Sequence, residues 1–328
     1  MCSTTQFSVA MCTYNGEKYL REQLDSIAAQ SILPTELVVC DDGSRDQTVT
    51  ILSEFADQAP FPVKVYENQE TLGVARNFFK AIRLCSADWV ILCDQDDVWL
   101  PERIAIFSAE IEKNVDANID IVFSNAFLTD QFLTPNRQTL FSAYRLKQNE
   151  INWINQGKAE KALVRHVFIT GAAMIVRRDF AKSVPEPVVG FLHDEWLSWM
   201  ACPRLLVLNE CTLFYRQHPE QVTGADGRIQ AQYQRLAKPQ MGKTVNINDA
   251  VDRFTQLLQA YSSSNGEISN SVINTLTKKI HFLRKRSQLS AGFFQRIIGI
   301  LGIGLAQYWQ LSSGFRTVLK DIFGLGRL

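Results

Sequence analysis

The 328-residue chain has the composition of an ordinary globular protein, 46% hydrophobic and 21% charged, and is long enough for one large domain or two smaller ones. Its seven cysteines form no CxxC pair and no apolar segment follows its polar start, which excludes a zinc site, a disulfide framework and a secretory signal peptide and predicts a cytosolic protein. The net charge of zero hides an asymmetry. From residue 228 onward there are 14 Lys and Arg against 4 Asp and Glu, so this part is expected to meet an anionic partner, a membrane surface or nucleic acid.

Short apolar runs alternate with helical patterns along the first hundred residues. The predicted strands are residues 7–12, 37–40, 63–66 and 89–93. The predicted helices between them are residues 18–30, 46–55 and 73–84. This alternation predicts βαβ units and an α/β fold with a mainly parallel sheet flanked by helices. In such sheets ligands bind at the carboxyl ends of the strands.

The later part of the chain has fewer strand signals. Further strands are predicted at residues 119–123, 172–176 and 212–214, and the polar stretch 129–161 is expected to be an irregular insertion near the site. From about residue 225 helical patterns replace strands. We therefore predict a catalytic domain over residues 1–225 and a helical, basic region over 226–328.

Three carboxylates follow the predicted strand at residues 89–93. Asp94, Asp96 and Asp97 lie within four residues, and such crowding of like charge is costly unless a cation neutralises it. Mg²⁺ and similar ions prefer oxygen ligands and often join one or two carboxylates to a substrate diphosphate. The alternative is a solvated acidic turn whose aspartates cap the next helix before Pro101.

Two further turns follow the first two predicted strands. Asp41 and Asp42 open a turn that continues with Gly and Ser, and Asp42 could accept a hydrogen bond from a base or a ribose. Thr13, Tyr14 and Asn15 open the turn after the first strand. Each turn also has a purely structural interpretation, because Asp, Asn, Gly and Ser are ordinary turn and cap residues.

Two later segments carry residues suited to acid–base chemistry or anion contact. Asp194, between His193 and Glu195, is a candidate general base, although the same residues could simply begin an exposed helix. Arg216 and His218 follow a predicted strand and suit diphosphate contact or metal ligation. A histidine satisfied at a strand end is the structural alternative.

The order and combination of these motifs resemble the family 2 glycosyltransferases of the GT-A fold, over roughly residues 7–225. Within that family the closest likeness is to bacterial rhamnosyltransferases of cell-wall polysaccharide or O-antigen synthesis. The motifs that carry it are Asp94-Gln95-Asp96-Asp97-Val98-Trp99, His193-Asp194 before Trp196, and Tyr215-Arg216-Gln217-His218 with Val222 and Gly224. One departure is Glu195, where relatives often carry an aromatic residue.

The resemblance implies a role for each motif. Nucleotide-pocket roles fall on Thr13, Tyr14 and Asn15, with Asp42 on the base and Asp41 supporting its turn. Donor-motif roles fall on Asp94 and Asp96, and the best candidates for ribose and Mg²⁺ or Mn²⁺ contact are Asp96 and Asp97. Gly171 matches the segment lining the sugar and acceptor pocket, Asp194 matches the base, and Arg216 and His218 match a motif that closes over the diphosphate.

The implied activity is inverting, metal-dependent transfer of a sugar from TDP-rhamnose or a UDP-sugar to a hydroxyl of a glycan or lipid-linked acceptor. One alternative is an inactive glycosyltransferase-fold module that binds nucleotide-sugar or glycan. A nucleotidyltransferase would need a Gly-rich basic loop near the N-terminus, and Gly16 stands alone there. Nucleic-acid binding is not expected, because aromatic residues are not interleaved with the basic run.

The C-terminal region combines a basic run at residues 276–289 with an apolar stretch at 297–309. The apolar stretch is too short to span a bilayer. It fits an interfacial helix on the inner face of the plasma membrane, and it fits equally an ordinary helical subdomain or an oligomer contact.

Overall fold

A computed structural model describes residues 5–219, 221, 247–264, 268–289 and 292–323. The chain divides into two compact units: the first comprises residues 1–146, 169–187 and 191–220, and the second comprises 147–168, 188–190 and 221–328. The predicted boundary at residue 225 lies outside the described residues, as do Val222 and Gly224.

The first unit is built on one sheet. In the described ranges its nine strands are β1 (Phe7–Thr13), β2 (Glu36–Asp41), β3 (Val63–Glu67), β4 (Trp89–Cys93), β5 (Val98–Trp99), β6 (Ile121–Thr129), β7 (Pro135–Thr139), β8 (Met174–Arg177) and β9 (Leu205–Arg216). Their order is β3-β2-β1-β4-β8-β6-β9-β5, and β7 pairs with β6.

Both strand directions occur in this sheet. The first four strands pair in parallel, as does β6 with β9, whereas β5, β7 and β8 pair antiparallel with their neighbours. The predicted α/β class is therefore confirmed, with the parallel pairing strongest in the N-terminal half. Strands β2 and β4 are buried along their whole length, which explains the unbroken apolar runs 37–40 and 89–93 within them.

Helices pack beside the sheet in the first unit. They are α1 (Leu20–Ala28), α2 (Thr48–Ala56), α3 (Val74–Leu84), α4 (Arg103–Lys113), α5 (Leu140–Tyr144), α8 (Arg178–Ser183) and α9 (His193–Ala201). In α1 the buried residues Leu20, Leu24 and Ile27 recur at helical spacing, so one apolar face is covered.

The second unit is helical. Its described helices are α6 (Gln148–Asn155), α7 (Glu160–Leu163), α10 (Ile247–Ser262), α11 (Asn270–Ser287), α12 (Phe293–Ile303), α13 (Leu305–Leu311) and α14 (Phe315–Phe323). Across the described ranges, no helix combines the length and the hydropathy that crossing a membrane requires.

The expectation of irregular chain over residues 129–161 is wrong. This stretch contains β7, α5 and α6 and begins α7. Helix α5 starts at a capping box between Thr139 and Ser142, and α6 buries Ile151 and Ile154. Such short helices need only a few apolar residues, so the polar composition of the stretch did not indicate that it contains helices.

Candidate active site

Loops that follow four strands meet at one edge of the sheet. They comprise residues 13–16 after β1, 41–44 after β2, 94–97 after β4 and 216–218 after β9. Strand β9 runs in the same direction as β4, because two antiparallel pairings through β8 and a parallel pairing with β6 connect them. The motifs predicted to act together are therefore brought together by the fold, as expected for the carboxyl edge of such a sheet.

Asp41 joins the first two of these loops. Its Oδ1 accepts a hydrogen bond from Thr13 Oγ1 at 2.7 Å, and its Oδ2 accepts from the backbone N–H groups of Gly43 and Ser44 at 3.1 and 2.8 Å. Asp41 is almost completely buried. These contacts give Asp41 and Thr13 a structural task in shaping the pocket edge.

Asp42 organises a different segment. Its Oδ1 accepts from Asn68 Nδ2 and from Leu72 N, both at 2.7 Å, and its Oδ2 accepts from Gly73 N at 2.9 Å. A carboxylate offers about four lone-pair positions, and these hydrogen bonds occupy three of them, so the contact of Asp42 with a bound base stays a prediction.

Tyr14 is held by a residue of the acidic loop. Its backbone N–H donates to Gln95 Oε1 at 2.8 Å, and Gln95 Nε2 donates back to its carbonyl at 3.1 Å. A Cβ on Gly16 would lie 2.3 Å from Gln95 Oε1, so a larger residue there would displace the Gln95 amide from Tyr14. The Tyr14 ring remains half exposed beside the loops. Our residue-based prediction overlooked Gln95, although it lies between the predicted aspartates.

Asn15 lies in the left-handed region, at φ 48°. Its side-chain Oδ1 accepts from Arg45 N at 2.9 Å, and its own N–H donates to Ser44 Oγ at 2.8 Å. Asn is one of the residues that tolerate this conformation. The loop after β1 is therefore fastened to the loop after β2 on both sides of Asn15.

The acidic loop concentrates buried carboxylates. Burial raises the pKa of Asp94 well above its usual range, and the neighbouring charges of Asp96 and then Asp194 raise it further. Burial and the same loop's carboxylates also raise the pKa of Asp97. Asp97 Oδ1 accepts from Arg216 N at 3.0 Å, whereas the buried Oδ2 has no hydrogen-bond partner in the described part of the chain. The raised pKa values mean that the ionised carboxylates are costly here, a cost that a bound cation would relieve.

Asp96 lies against a histidine from the loop after β9. Its Oδ2 is 2.8 Å from His218 Nε2, and His218 packs on the Tyr19 ring with centroids 4.7 Å apart. This separation is that of a hydrogen bond, and adjacent ligands of a Mg²⁺ or Mn²⁺ ion are also about 3 Å apart, so the pair is compatible with one ion. Nowhere in the described ranges do three His, Cys, Asp or Glu side chains already surround one point. An ion held here would take its other ligands from substrate and water.

Arg216 is bound on every side by protein groups. Its Nε donates to the Asp96 carbonyl and its Nη1 to the Gln131 carbonyl, each at 2.7 Å, and its Nη2 donates to the Glu22 carboxylate. The guanidinium carbon also lies 4.5 Å from the Tyr19 ring centroid. Arg216 is only 2% exposed, so in this conformation it fastens the acidic loop, and its contact with a diphosphate stays a prediction.

Arg103 is a second buried arginine, one that the sequence did not single out. Its Nη2 donates to the Ala172 carbonyl at 2.7 Å, and its Nη1 donates to Thr212 Oγ1. The guanidinium packs against the rings of Trp99 and Phe107. Arg103 therefore joins α4 and β9 to the 3₁₀ turn Gly171–Ala173, which precedes β8.

Asp194 lies in the first turn of α9 and faces that 3₁₀ turn. Its Oδ2 accepts from Gly171 N at 3.0 Å and its Oδ1 accepts from Glu195 N at 2.7 Å. Burial raises the pKa of Asp194 to about 6, against the lowering effect of these two hydrogen bonds. A carboxyl group with that pKa is largely ionised at neutral pH yet basic enough to accept a proton.

The residue before Asp194 packs tightly beside it. The His193 ring stacks on Phe78 with centroids 4.0 Å apart, and a Cβ on Gly171 would lie 2.4 Å from its Nε2. Burial lowers the pKa of His193 to about 3, so its imidazole is neutral. Trp196 Nε1 donates to the Pro185 carbonyl at 2.8 Å and anchors the same helix turn.

Comparison with known proteins places the chain in a family. The family described as Glycosyl transferase family 2 matches residues 8–183, more than half of the chain. The chain therefore belongs to glycosyl transferase family 2. It is a glycosyltransferase, as the motifs predicted.

Two relatives illustrate the range of similarity. The dTDP-rhamnosyl transferase RfbG of Shigella flexneri is 24% identical over 303 residues, which span 89% of this chain and 100% of that protein. The Escherichia coli UDP-Glc:alpha-D-GlcNAc-diphosphoundecaprenol beta-1,3-glucosyltransferase WfgD is 27% identical over 136 residues, or 40% of this chain and 52% of that protein.

Solved structures share the fold. Residues 1–349 of S. aureus TarS in complex with UDP-GlcNAc superpose with a TM-score of 0.57 and 17% identity, covering 98% of this chain and 93% of that chain. The mannosyltransferase PcManGT from Pyrobaculum calidifontis, in complex with GDP-Man and Mn²⁺, gives a TM-score of 0.51 and 16% identity, covering 100% and 77%. The predicted GT-A fold is confirmed.

Proposed function

We propose that this glycosyltransferase inverts the anomeric centre, uses a divalent metal ion, and transfers rhamnose from a nucleotide-diphosphate donor to a glycan hydroxyl. The observation that carries the proposal is the buried carboxylate of Asp194, which is hydrogen-bonded by Gly171 N and electrostatically coupled to Asp94 of the acidic loop. A single displacement requires a general base close to the loop that binds the donor.

Asp194 serves as the general base. The acceptor hydroxyl oxygen forms a bond to the anomeric carbon as its proton passes to Asp194. The bond from that carbon to the diphosphate oxygen breaks on the opposite face, and the nucleoside diphosphate leaves. One displacement inverts the centre, in the same way that one carboxylate activates the incoming oxygen in inverting glycosidases. Glu195 is more exposed than Asp194, which favours Asp194 as the base.

Asp96 and His218 would hold the ion. Asp97 would stabilise the same loop through the hydrogen bond that it accepts from Arg216 N. Asp96 Oδ2 and His218 Nε2 are the atoms that lie at ligand spacing, whereas Asp97 is enclosed beside Arg216. Mg²⁺ or Mn²⁺ held by these residues would supply charge stabilisation for the departing diphosphate. Mn²⁺ and GDP-Man in the PcManGT structure support this part of the proposal.

The donor pocket is formed by the loops after β1, β2 and β4. Tyr14 offers a half-exposed ring, and Asp42 is proposed to accept a hydrogen bond from the nucleobase. TDP-rhamnose is proposed as the donor because the RfbG relative spans most of the chain. The alternative is a UDP-sugar, supported by the names of WfgD and of the TarS complex.

The acceptor is proposed to be a polysaccharide or a lipid-linked glycan at the inner face of the plasma membrane. The name of WfgD, which includes a diphosphoundecaprenol-linked sugar, supports a lipid-linked acceptor. Cys12, Cys40, Cys85, Cys93, Cys202 and Cys211 are free thiols, which supports a reducing, cytoplasmic compartment.

Donor binding tests the proposal. We would measure the melting temperature with TDP-rhamnose, UDP-glucose, UDP-galactose, UDP-N-acetylglucosamine and GDP-mannose, each with and without Mn²⁺, since a ligand that binds the folded state raises it. We expect a Mn²⁺-dependent rise with TDP-rhamnose. If only a UDP-sugar raised the melting temperature, the sugar of that donor would replace rhamnose in the proposal. If no donor raised it, an inactive module would be favoured.

Matched variants test the metal site in the same assay. Asp96→Asn removes a proposed ligand, so we expect it to abolish the Mn²⁺-dependent part of the rise. Asp116→Asn removes an exposed carboxylate outside the site and serves as the control. An Asp96→Asn variant that keeps the full Mn²⁺ effect would contradict the assignment of Asp96 as a ligand.

A further inference from the structure

Helix α12 exposes large apolar side chains along one face. Phe294, Ile298 and Leu301 are 78%, 69% and 61% exposed. Their spacing of four and three residues places them on the same side of the helix. Ile300 and Ile303 are buried, so one apolar face of α12 is covered and a second is bare.

Helices α13 and α14 show the same division. Their buried apolar residues are Tyr308 and Leu311 on α13 and Val318 on α14. Their exposed ones are Leu305, Trp309, Phe315, Leu319 and Phe323. So many exposed large apolar side chains on three successive helices are uncommon in proteins that act alone in water and indicate an interaction surface. We call the exposed apolar residues of α12, α13 and α14 the C-terminal apolar face.

Buried polar contacts fix α13 and α14, two of the three helices that present this face. The Asp321 carboxylate accepts from Arg286 Nε and Nη2, both at 2.6 Å, and from Tyr308 Oη at 2.8 Å. Lys279 Nζ donates to the carbonyls of Leu311 and Val164. These bonds tie α11 to α13 and α14. The face is therefore a feature of folded helices rather than of a frayed chain end.

Charge indicates what covers the face. Residues 268–323 contain eight Lys and Arg but only one acidic residue, Asp321, which is buried in its ion pair. On α14 the exposed Arg316 and Lys320 immediately follow the exposed Phe315 and Leu319. A second copy docked through the same face would bring like charges together, whereas an anionic surface would neutralise them.

We propose that the C-terminal apolar face binds the surface of a bilayer that contains anionic lipids, with its apolar side chains in the acyl boundary and Arg316 and Lys320 at the headgroups. Apolar residues flanked by basic ones are the composition of interfacial helices. Helix α12 has 11 residues, against about 20 needed to cross a bilayer, so it lies in the interface. The proposal depends on the C-terminal helices alone and is independent of the sugar that is transferred.

Vesicle co-sedimentation of the full chain tests the proposal. We expect binding to vesicles of phosphatidylethanolamine with phosphatidylglycerol and much weaker binding to phosphatidylcholine vesicles. The combined variant Phe294→Ser, Ile298→Ser and Leu301→Ser should lower the ratio of bound to free protein at least about tenfold, because the apolar area that enters the interface is removed. The variant Arg316→Gln with Lys320→Gln should bind less and lose most of its salt dependence.

The matched control removes exposed apolar residues elsewhere. Val115 and Val189 are 77% and 92% exposed, and Val115→Ser with Val189→Ser should bind like the unaltered protein. Circular dichroism checks that each variant is folded. If the triple variant does not fold, vesicle binding by the charge variant, Arg316→Gln with Lys320→Gln, tests the proposal. Equal binding to both kinds of vesicle, or full binding by the charge variant, would overturn the proposal. So would a dimer, seen by light scattering, that binds no vesicles and that the triple variant converts to a monomer.

Discussion

The backbone N–H of Gly171 donates a hydrogen bond to the carboxylate of Asp194, with 3.0 Å between nitrogen and Oδ2. The two residues are 23 positions apart, and the 3₁₀ turn and α9 bring them together. The bond fixes the orientation of the carboxylate and, with Glu195 N, limits how far burial raises its pKa. The orientation and the pKa of the proposed base therefore depend on two backbone N–H groups and on the burial of its carboxylate.

The pH dependence of transfer should reflect this pKa. Burial raises the pKa of Asp194 to about 6, and only the ionised form can accept a proton. We expect kcat/KM to fall about tenfold for each pH unit below 6 and to level off above 7. Initial rates across pH 4.5–8.5 would measure this. A profile that stays flat down to pH 5 would argue against Asp194 as the titrating base.

Gly171→Ala should damage the site without unfolding the protein. The added Cβ would lie 2.4 Å from His193 Nε2, and His193 is stacked on Phe78, so the turn or the His193 ring beside Asp194 must shift. We expect kcat to fall by about a hundredfold, since small displacements of catalytic groups have effects of that size. Gly302→Ala is the control, because its Cβ meets nothing within 4 Å. Equal kinetics for the two variants would show that Gly171 has no positioning role.

Arg216→Lys distinguishes two roles for this residue. A lysine keeps the positive charge but cannot reach Glu22, the Asp96 carbonyl and the Gln131 carbonyl together. We expect a loss of about 1–3 kcal/mol in the free energy of unfolding without any ligand. Denaturant titration measures it, with the exposed Arg137→Lys as the control. Unchanged stability combined with lost donor binding would instead indicate that Arg216 contacts the diphosphate directly.

Glu36 should stabilise the fold in a pH-dependent way. Burial raises its pKa, but hydrogen bonds from Lys64, Ser86 and Ser8 outweigh burial and lower the pKa to about 2. The contribution is therefore full above pH 4.5, the ordinary value, and is lost as the pH falls through about 2.

Glu36→Gln tests that contribution. We expect a loss of about 1–3 kcal/mol at pH 7 and a smaller loss at pH 3, measured by denaturant titration. Glu54→Gln removes an exposed ion pair with Arg21 and should change stability little. A Glu36→Gln loss that is the same at both pH values would exclude a charge-dependent contribution.

The sequence predicted the sheet well where its pattern was regular. Strand β4 falls at the predicted residues, β1 and β3 extend one residue further at one end, and β2 extends one residue further at both ends. Continuous apolar runs bounded by turn residues define buried parallel strands. The helices of residues 140–163 were not predicted, because short amphipathic helices leave few apolar residues to count.

Contacts between distant residues were beyond the sequence. Arg216 meets Asp96 across 120 positions and Glu22 across 194 positions. Arg103 looks like any charged helix residue, and its burial depends on Trp99, Phe107 and Thr212, which only the fold assembles. The order of the motifs located the acidic loop. The hydrogen bonds that shape this loop join distant residues, and motif order does not specify them.

The most direct test of the proposed mechanism compares Asp194→Asn with Glu195→Gln in transfer to an acceptor at saturating donor. We expect Asp194→Asn to lower kcat by about 10²–10⁴, the usual contribution of a general base, while donor binding persists. Glu195→Gln should transfer at close to the unaltered rate. If Asp194→Asn retained that rate, or if Glu195→Gln alone abolished transfer, the assignment of Asp194 as the base would be wrong.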